Sequence, residues 1–110
     1  MKDWTWLSRE AVDIFHAQQL AEHGGLAGIK DENALEAALA RPVNKAAYEN
    51  PDVFELAAAY LFGIAKNHPF SDGNKRTAFV AAYVFLRLHG LQVVATQGES
   101  VEFVLGVASG

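Results

Sequence analysis

Cysteine is absent from the 110-residue sequence, which excludes disulfides, thiolate metal sites and cysteine nucleophiles. Basic residues are also few, nine Lys and Arg against 13 Asp and Glu, and the net charge is −4. Because duplex binding needs a broad basic face, we expect no direct nucleic-acid binding. No apolar run approaches the ~20 residues of a membrane-spanning helix, and no signal-peptide pattern begins the chain. We therefore expect a cytoplasmic protein without membrane contact.

Apolar residues make up 51% of the chain, enough for one domain with one core, and their spacing is mostly helical. The predicted helices span residues 9–22, 32–41, 53–67 and 74–89, followed by a β-type run over 91–95 and a weak helix over 99–108. Ser8, Asp31 and Asp52 are the expected N-caps. Pro42 is predicted to end the second helix, which makes residues 43–50 a loop or small hairpin.

Four smaller expectations concern which residues are buried and which lie at the surface. The first helix should bury a stripe that includes Ile14 and Phe15. Residues 77–86 are apolar on nearly every face, so the fourth helix is predicted to be buried all round at the centre of the bundle. Trp4 and Trp6 should cover the core or form an edge strand. The histidines outside the polar segment described next are expected at the surface or at helix ends: His16, His23 and His89.

A polar, turn-rich segment over residues 68–76 separates the two most apolar predicted helices. The first N–H groups of a helix lack partners and lie at the positive end of its dipole, so they attract anions. Gly73 lets an anion approach the backbone, Asn74 adds an amide, and Lys75 and Arg76 add positive charge. Because cations are otherwise unfavourable at a helix start, their presence favours an anion site over a purely structural turn.

The same segment contains an acid and a base. Asp72 beside bound phosphates would suit Mg²⁺, which prefers one or two carboxylates together with phosphate oxygens. His68 precedes it in the loop, and histidine is the commonest general base near neutral pH. This combination suits transfer of a phosphoryl or nucleotidyl group to a hydroxyl. The alternative is that each residue has only a structural role in an exposed turn.

The segment His68-Pro69-Phe70-Ser71-Asp72-Gly73-Asn74-Lys75-Arg76-Thr77-Ala78 resembles the signature of the Fic/Doc family, and most closely its death-on-curing (Doc) toxin branch. Residues 23–29 and 41–49 resemble the same toxins. The resemblance implies an all-α fold, a helical bundle around a buried central helix with a small β-hairpin flap or short strands. It also implies that residues 1–110 form a single domain that lacks the last helix of the family.

The resemblance also assigns roles to individual residues. It makes His68 the base that acts on a target hydroxyl, with Asp72 and Arg76 as the other catalytic residues. Asp72 would bind Mg²⁺ together with the phosphates of ATP. The implied anion hole comprises Gly73, Asn74, Lys75 and Arg76. The implied flap, which docks the target peptide by strand pairing, comprises Val43, Asn44, Lys45, Ala46, Ala47 and Tyr48.

Two positions decide which group the resemblance implies is transferred. Fic adenylyltransferases usually carry glycine in place of Lys75 and a second arginine in place of Phe79. The Doc-like pattern is associated with ATP bound in reverse, with its γ-phosphate facing the base. The resemblance thus implies a toxin that phosphorylates a Ser or Thr hydroxyl on a translation factor, elongation factor Tu, and blocks translation. The alternatives are AMP transfer and a family member that binds its partner without chemistry.

The resemblance further implies an antitoxin partner. In this family a disordered C-terminal segment of the antitoxin folds into a helix on the toxin. If the last helix is missing, the central helix exposes an apolar groove, where we expect the partner helix to bind.

Overall fold

The structure, a computed structural model, describes residues 3–94 and 104–107. Its elements, in chain order, are α1 (Arg9–His23), α2 (Glu32–Tyr48), α3 (Val53–Asn67), α4 (Asn74–Leu88), β1 (Leu91–Val94) and β2 (Val104–Val107). The helical-bundle architecture predicted from the sequence is confirmed. Within the described residues, no helix is both long and apolar enough to cross a membrane.

The first three helices begin where the sequence predicts, because their caps are local. The side chains of Ser8 and Asp31 each accept a hydrogen bond from the third residue that follows, at 3.0 Å. Asp52 accepts from the Glu55 N–H at 2.8 Å, and the Glu55 side chain closes the predicted capping box. Each of these bonds satisfies a backbone donor that the helix itself leaves free.

The prediction that Pro42 ends α2 is wrong, because the helix continues to Tyr48 with Pro42 inside it. Proline has no N–H to offer the carbonyl of Ala38, four residues earlier. That carbonyl lies against α3, 3.1 Å from where a side chain on Gly63 would begin. Since Pro42 is itself buried, close packing between α2 and α3 stabilises the helix through the proline.

The expected loop or hairpin over residues 43–50 is therefore also wrong. The residues assigned to a strand-pairing flap form the last turns of α2: Val43, Asn44, Lys45, Ala46, Ala47 and Tyr48. Their backbone N–H groups point into the helix, whose last bond runs from the Glu49 N–H to the Lys45 carbonyl at 2.9 Å.

The core lies where α3 and α4 pack against each other, with α2 against the outer side of α3 and α1 and β1 against α4. Tyr60 and Ile64 of α3 and Phe85 of α4 are fully buried. The prediction that α4 is buried all round is wrong, since Phe79 and Tyr83 are 39% and 40% exposed. Its neighbours in the described part of the chain cover only some of its faces.

The N-terminal segment before α1 covers the core. Of the two expectations for Trp4 and Trp6, core cover is therefore confirmed. Both indole rings stack on Phe85, at centroid distances of 6.4 and 6.0 Å. The Leu7 N–H donates to the Tyr60 hydroxyl at 3.0 Å. Burial raises the pKa of Tyr60 above its ordinary value of 10.0, while the bond from Leu7 opposes the rise.

The predicted β-type run forms β1, but the predicted final helix is wrong over residues 104–107. These residues form β2, antiparallel to β1, with Leu91 opposite Val107 and Val94 opposite Val104. Valine favours strands, and Gly106 weakens a helix. The rest of that predicted helix, residues 99–103 and 108, lies outside the described residues.

Candidate functional site

The loop between α3 and α4 leaves the helix through His68. This residue has the left-handed backbone conformation, with φ 48° and ψ 54°, while its N–H still bonds the Ile64 carbonyl at 3.3 Å. Such a conformation in a residue other than glycine costs about 1–2 kcal/mol. The buried Pro69 and Phe70 that follow hold the turn in place, and the His68 side chain remains exposed.

A reciprocal pair of hydrogen bonds joins this loop to the start of α4. The Phe70 N–H donates to Asn74 Oδ1 at 2.9 Å, and Asn74 Nδ2 donates to the Phe70 carbonyl at 3.0 Å. The Asn74 side chain is buried, and both of its polar atoms bond to the loop. It therefore shapes the site, and its backbone N–H is the group available to an anion.

The connector between α1 and α2 clamps the other side of the loop, a role that its sequence did not reveal. The N–H groups of Lys30 and Asp31 donate to the Pro69 carbonyl at 2.8 and 3.0 Å. The backbone N–H of Ser71 donates to the Gly28 carbonyl at 3.1 Å. Between these bonds, Ile29 and Phe70 form an isolated antiparallel β-bridge. The loop backbone is thus fixed on both sides before any ligand binds.

Asp72 is held by backbone donors from two segments. Its Oδ1 accepts from the Gly73 N–H at 2.9 Å, and its Oδ2 accepts from the Leu26 N–H at 3.3 Å. Gly25 leaves no space for a side chain here, because a Cβ would lie 2.7 Å from Oδ2. Each carboxylate oxygen can accept more than one bond, so the exposed group remains able to bind a cation.

The start of α4 carries the unpartnered donors that an anion site requires. The first helical bond runs from the Thr77 N–H to the Gly73 carbonyl. In the described part of the chain, no group accepts from the N–H of Asn74, Lys75 or Arg76, and no side chain caps the helix. These three donors lie at the positive end of the α4 dipole.

Charge at this helix start is the reverse of that in the other helices. An acidic residue occupies the first turn of α1, α2 and α3, whereas α4 has none there and carries Lys75 and Arg76 instead. Both side chains are exposed, and neither has an ion-pair partner among the described residues. The site thus combines two uncompensated cations with free backbone donors.

A cavity of about 370 Å³ brings these groups together. It is lined by His68, Ser71, Asp72, Gly73, Asn74, Lys75 and Arg76. Every residue predicted for catalysis or phosphate binding is present. The residues predicted for a flap are not, and Lys45 instead lines a separate cavity of about 230 Å³ between α2 and α3.

The donor set in the cavity fits Mg²⁺ bound together with a nucleotide. A single carboxylate, Asp72, faces a region that can hold phosphates, and Mg²⁺ is commonly bound by one or two carboxylates plus substrate oxygens. Across residues 3–94 and 104–107, no group of three His, Cys, Asp or Glu side chains could hold a metal by itself. The arrangement does not match an all-protein metal cage.

His16 is the residue that sequence reasoning missed. Instead of lying at the surface, it is 7% exposed and stacks on Phe70, with ring centroids 3.8 Å apart and planes 10° from parallel. Its Nε2 donates to the Asp72 carbonyl at 2.8 Å. Of the two residues predicted for the buried face of α1, Phe15 packs against the core, but Ile14 is 57% exposed. The useful signal was the four-residue spacing from the buried Val12 to His16.

The residues of this site lie within the part of the chain that is similar to known proteins. The model of the Fic/DOC family matches residues 6–86 of the chain. The protein named "Protein kinase doc", from Escherichia phage P1, is 38% identical over 105 residues, which cover 94% of this chain and 82% of that protein. "Toxin Doc" from Mycolicibacterium smegmatis is 42% identical over 94 residues, covering 82% of this chain and 68% of that protein.

Proposed function

Because the chain belongs to the Fic/DOC family, we propose that it is a Doc-type toxin of a toxin–antitoxin module. In this proposal it transfers the γ-phosphoryl group of ATP to a Ser or Thr hydroxyl of a translation factor, with elongation factor Tu as the expected target. The observation that carries the proposal is the convergence of His68, Asp72, two cations and three backbone N–H groups on one cavity, where neither the cations nor the N–H groups have a partner among the described residues.

The ATP phosphates would bind at the start of α4. The free N–H groups of Asn74, Lys75 and Arg76 would donate to phosphate oxygens, and the two cationic side chains would balance their charge. Asp72 would hold Mg²⁺ against the same phosphates, and the ion would supply charge neutralisation there.

The transfer itself needs one base and a set of fixed donors. His68 accepts the proton of the target hydroxyl as its oxygen attacks the γ-phosphorus. The bond from this phosphorus to the oxygen bridging the β-phosphate breaks, and ADP leaves with the electron pair. Negative charge on the transferred group and on the leaving oxygen is met by Lys75, Arg76 and the backbone N–H groups. The products are the phosphorylated target, ADP and the proton on His68.

AMP transfer would use the same base and the same helix start, with the α-phosphorus facing His68. Lys75 is the feature that favours phosphoryl transfer. It lines the cavity at the position where the adenylyltransferases that this chain resembles usually have glycine. A lysine side chain fills space and adds a cation there, which suits a short, highly charged end of the nucleotide.

We place the antitoxin along α4. Phe79 and Tyr83 lie one turn apart on this helix, and their partial exposure provides an apolar strip for a partner helix. A segment bound there would lie on the helix whose first turn forms the catalytic cavity.

The proposal is tested by expressing His68→Ala in growing cells. Loss of a general base lowers such rates by roughly 10²–10⁴-fold, so growth arrest should disappear. The control is His23→Ala, which makes the same change at an exposed histidine at the end of α1. Growth arrest that survives His68→Ala would instead support a protein that acts by binding alone.

A further inference from the structure

We infer that His16 is a positioning residue for the Mg²⁺ site, holding Asp72 in the orientation that binds the ion. This inference rests on the proposed function, since it concerns the carboxylate assigned to the metal. His16 belongs to α1 and comes 56 positions before Asp72 in the chain. It lines no part of the cavity and so would act only through the loop.

The His16 ring makes two different contacts with the loop. One face stacks on Phe70, which fixes the plane of the imidazole. The ring nitrogen Nε2 lies 2.8 Å from the Asp72 carbonyl oxygen. Since a carbonyl can only accept, Nε2 is the donor in this bond. A hydrogen bond shielded from water in this way is stronger than one at the surface.

The His16 ring lies close to residues that precede and follow Asp72 in the chain, Phe70 and Gly73. Gly73 has φ 76°, and a Cβ there would lie 3.6 Å from the His16 ring. The Asp72 carbonyl orients the peptide that carries the Gly73 N–H, and that N–H in turn binds Asp72 Oδ1 at 2.9 Å. Fixing the carbonyl therefore fixes the donor that holds the carboxylate.

The other support of Asp72 is weaker. The Leu26 N–H reaches Oδ2 at 3.3 Å, near the long limit of an N–H···O bond. Without the His16 donor, the Asp72 carbonyl would lose its hydrogen bond, and the peptide that carries the Gly73 N–H would be held less firmly beneath the carboxylate. Groups that orient a metal ligand typically contribute 10- to 100-fold to metal affinity.

Two substitutions separate the hydrogen bond that His16 donates from the packing of its ring on Phe70. His16→Phe keeps a ring to stack on Phe70 but removes the N–H. His16→Gln removes the ring but places an amide N–H near the position of Nε2. A residue that only fills the core would tolerate phenylalanine better than glutamine, whereas a positioning residue would show the opposite order.

The measurement is ATP binding by calorimetry over a Mg²⁺ titration, in a His68→Ala chain that cannot turn ATP over. With His16→Phe, we expect the Mg²⁺ needed for half-maximal enhancement of ATP binding to rise roughly 10-fold or more. Affinity for ATP without Mg²⁺ should be unchanged within about twofold. His16→Gln should restore most of the Mg²⁺ dependence, and thermal melts should show that each variant is folded.

Asp72→Asn provides the matched background if His16→Phe also weakens the fold. Adding His16→Phe to Asp72→Asn should cause no further loss of ATP affinity, because the carboxylate to be positioned is gone. An equal loss in both backgrounds, or a Mg²⁺ dependence unchanged by His16→Phe, would overturn the inference. A parent chain whose ATP binding ignores Mg²⁺ altogether would instead contradict the proposed function.

Discussion

Gly25 lies against the Asp72 carboxylate with no space for a side chain. At the scale of single residues, the site therefore depends on glycine geometry as well as on charged groups. Gly25 has φ +123°, and a Cβ would lie 2.7 Å from Asp72 Oδ2. Gly28, in the same connector, has a similar φ of +113°, but a Cβ there would meet only Ser71 Oγ at an ordinary 3.8 Å.

We predict that Gly25→Ala lowers Mg²⁺-dependent ATP binding, because the new methyl group displaces the carboxylate. Gly28→Ala is the control, since it introduces comparable backbone strain of about 1 kcal/mol without touching Asp72. Thermal melts and Mg²⁺ titrations of both variants separate the two effects. Equal loss of Mg²⁺ dependence in both would show that strain alone is responsible.

Lys75 provides a second prediction at this scale. Lys75→Ala removes one of the two cations at the start of α4, and we expect ATP affinity to fall roughly tenfold or more. Lys45→Ala, the same change on α2 outside the cavity at the start of α4, should leave ATP affinity unaltered. Both are measured by calorimetry, and a full-strength ATP complex in Lys75→Ala would remove this lysine from the phosphate site.

At the scale of elements, α2 packs closely against α3 at Gly63. A Cβ on this glycine would lie 3.1 Å from the Ala38 carbonyl, the same carbonyl that Pro42 leaves without a helical donor. The contact explains why a helix containing proline persists, since the close packing of the two helices compensates for the missing bond. It also fixes α3, whose C-terminal end positions His68.

Gly63→Leu should therefore separate the two helices. We expect the free energy of unfolding to fall by ~1–3 kcal/mol, because the backbone atoms of Ala38 cannot move aside as a flexible side chain would. Ala40→Leu, on an exposed position of α2, is the control and should have little effect. Urea denaturation of both variants measures the difference, and unchanged stability in Gly63→Leu would contradict the proposed packing.

The same elements show what could be predicted from the sequence. The starts of α1, α2 and α3 were predictable because Ser8, Asp31 and Asp52 each bond within their own first turn. The continuation of α2 through Pro42 was not, since it depends on a contact with α3. The segment 68–76 was predictable because its residues are contiguous, whereas His16 and Gly25 reach Asp72 only through the tertiary fold.

At the scale of the whole molecule, the segment before α1 closes the core through Tyr60. The hydroxyl of this fully buried residue accepts the Leu7 N–H, and burial raises its pKa. Below pH 10, the phenol is protonated in both folded and unfolded chains. Above that, the unfolded chain loses the proton first, so stability falls as the pH rises toward the folded-state pKa.

We predict that the wild-type chain loses more stability between pH 9 and pH 11 than Tyr60→Phe, by up to about 1.4 kcal/mol per pH unit above 10. All other titrating groups are the same in the two chains, so their effect on stability cancels in the difference. Tyr60→Phe should be less stable at neutral pH, because the buried Leu7 N–H loses its acceptor. Parallel pH profiles for the two chains would show that Tyr60 does not titrate differently on folding.

Charge also acts at this scale. The chain carries a net −4, yet the cavity at the start of α4 has two cations, Lys75 and Arg76, without ion-pair partners among the described residues. Such a distribution favours a small, highly charged anion such as a nucleotide over an extended polyanion, whose phosphates would meet the acidic remainder of the surface. The distribution of charge is thus consistent with the proposed use of a nucleotide.

The most direct test of phosphoryl transfer at this site uses ATP labelled separately at its α- and γ-phosphates. The purified chain is incubated with each nucleotide and a cell lysate, and protein-bound label is then measured. We predict label on protein from the γ position only, and none from either position with His68→Ala. Label retained from the α position would contradict phosphoryl transfer and identify AMP transfer instead.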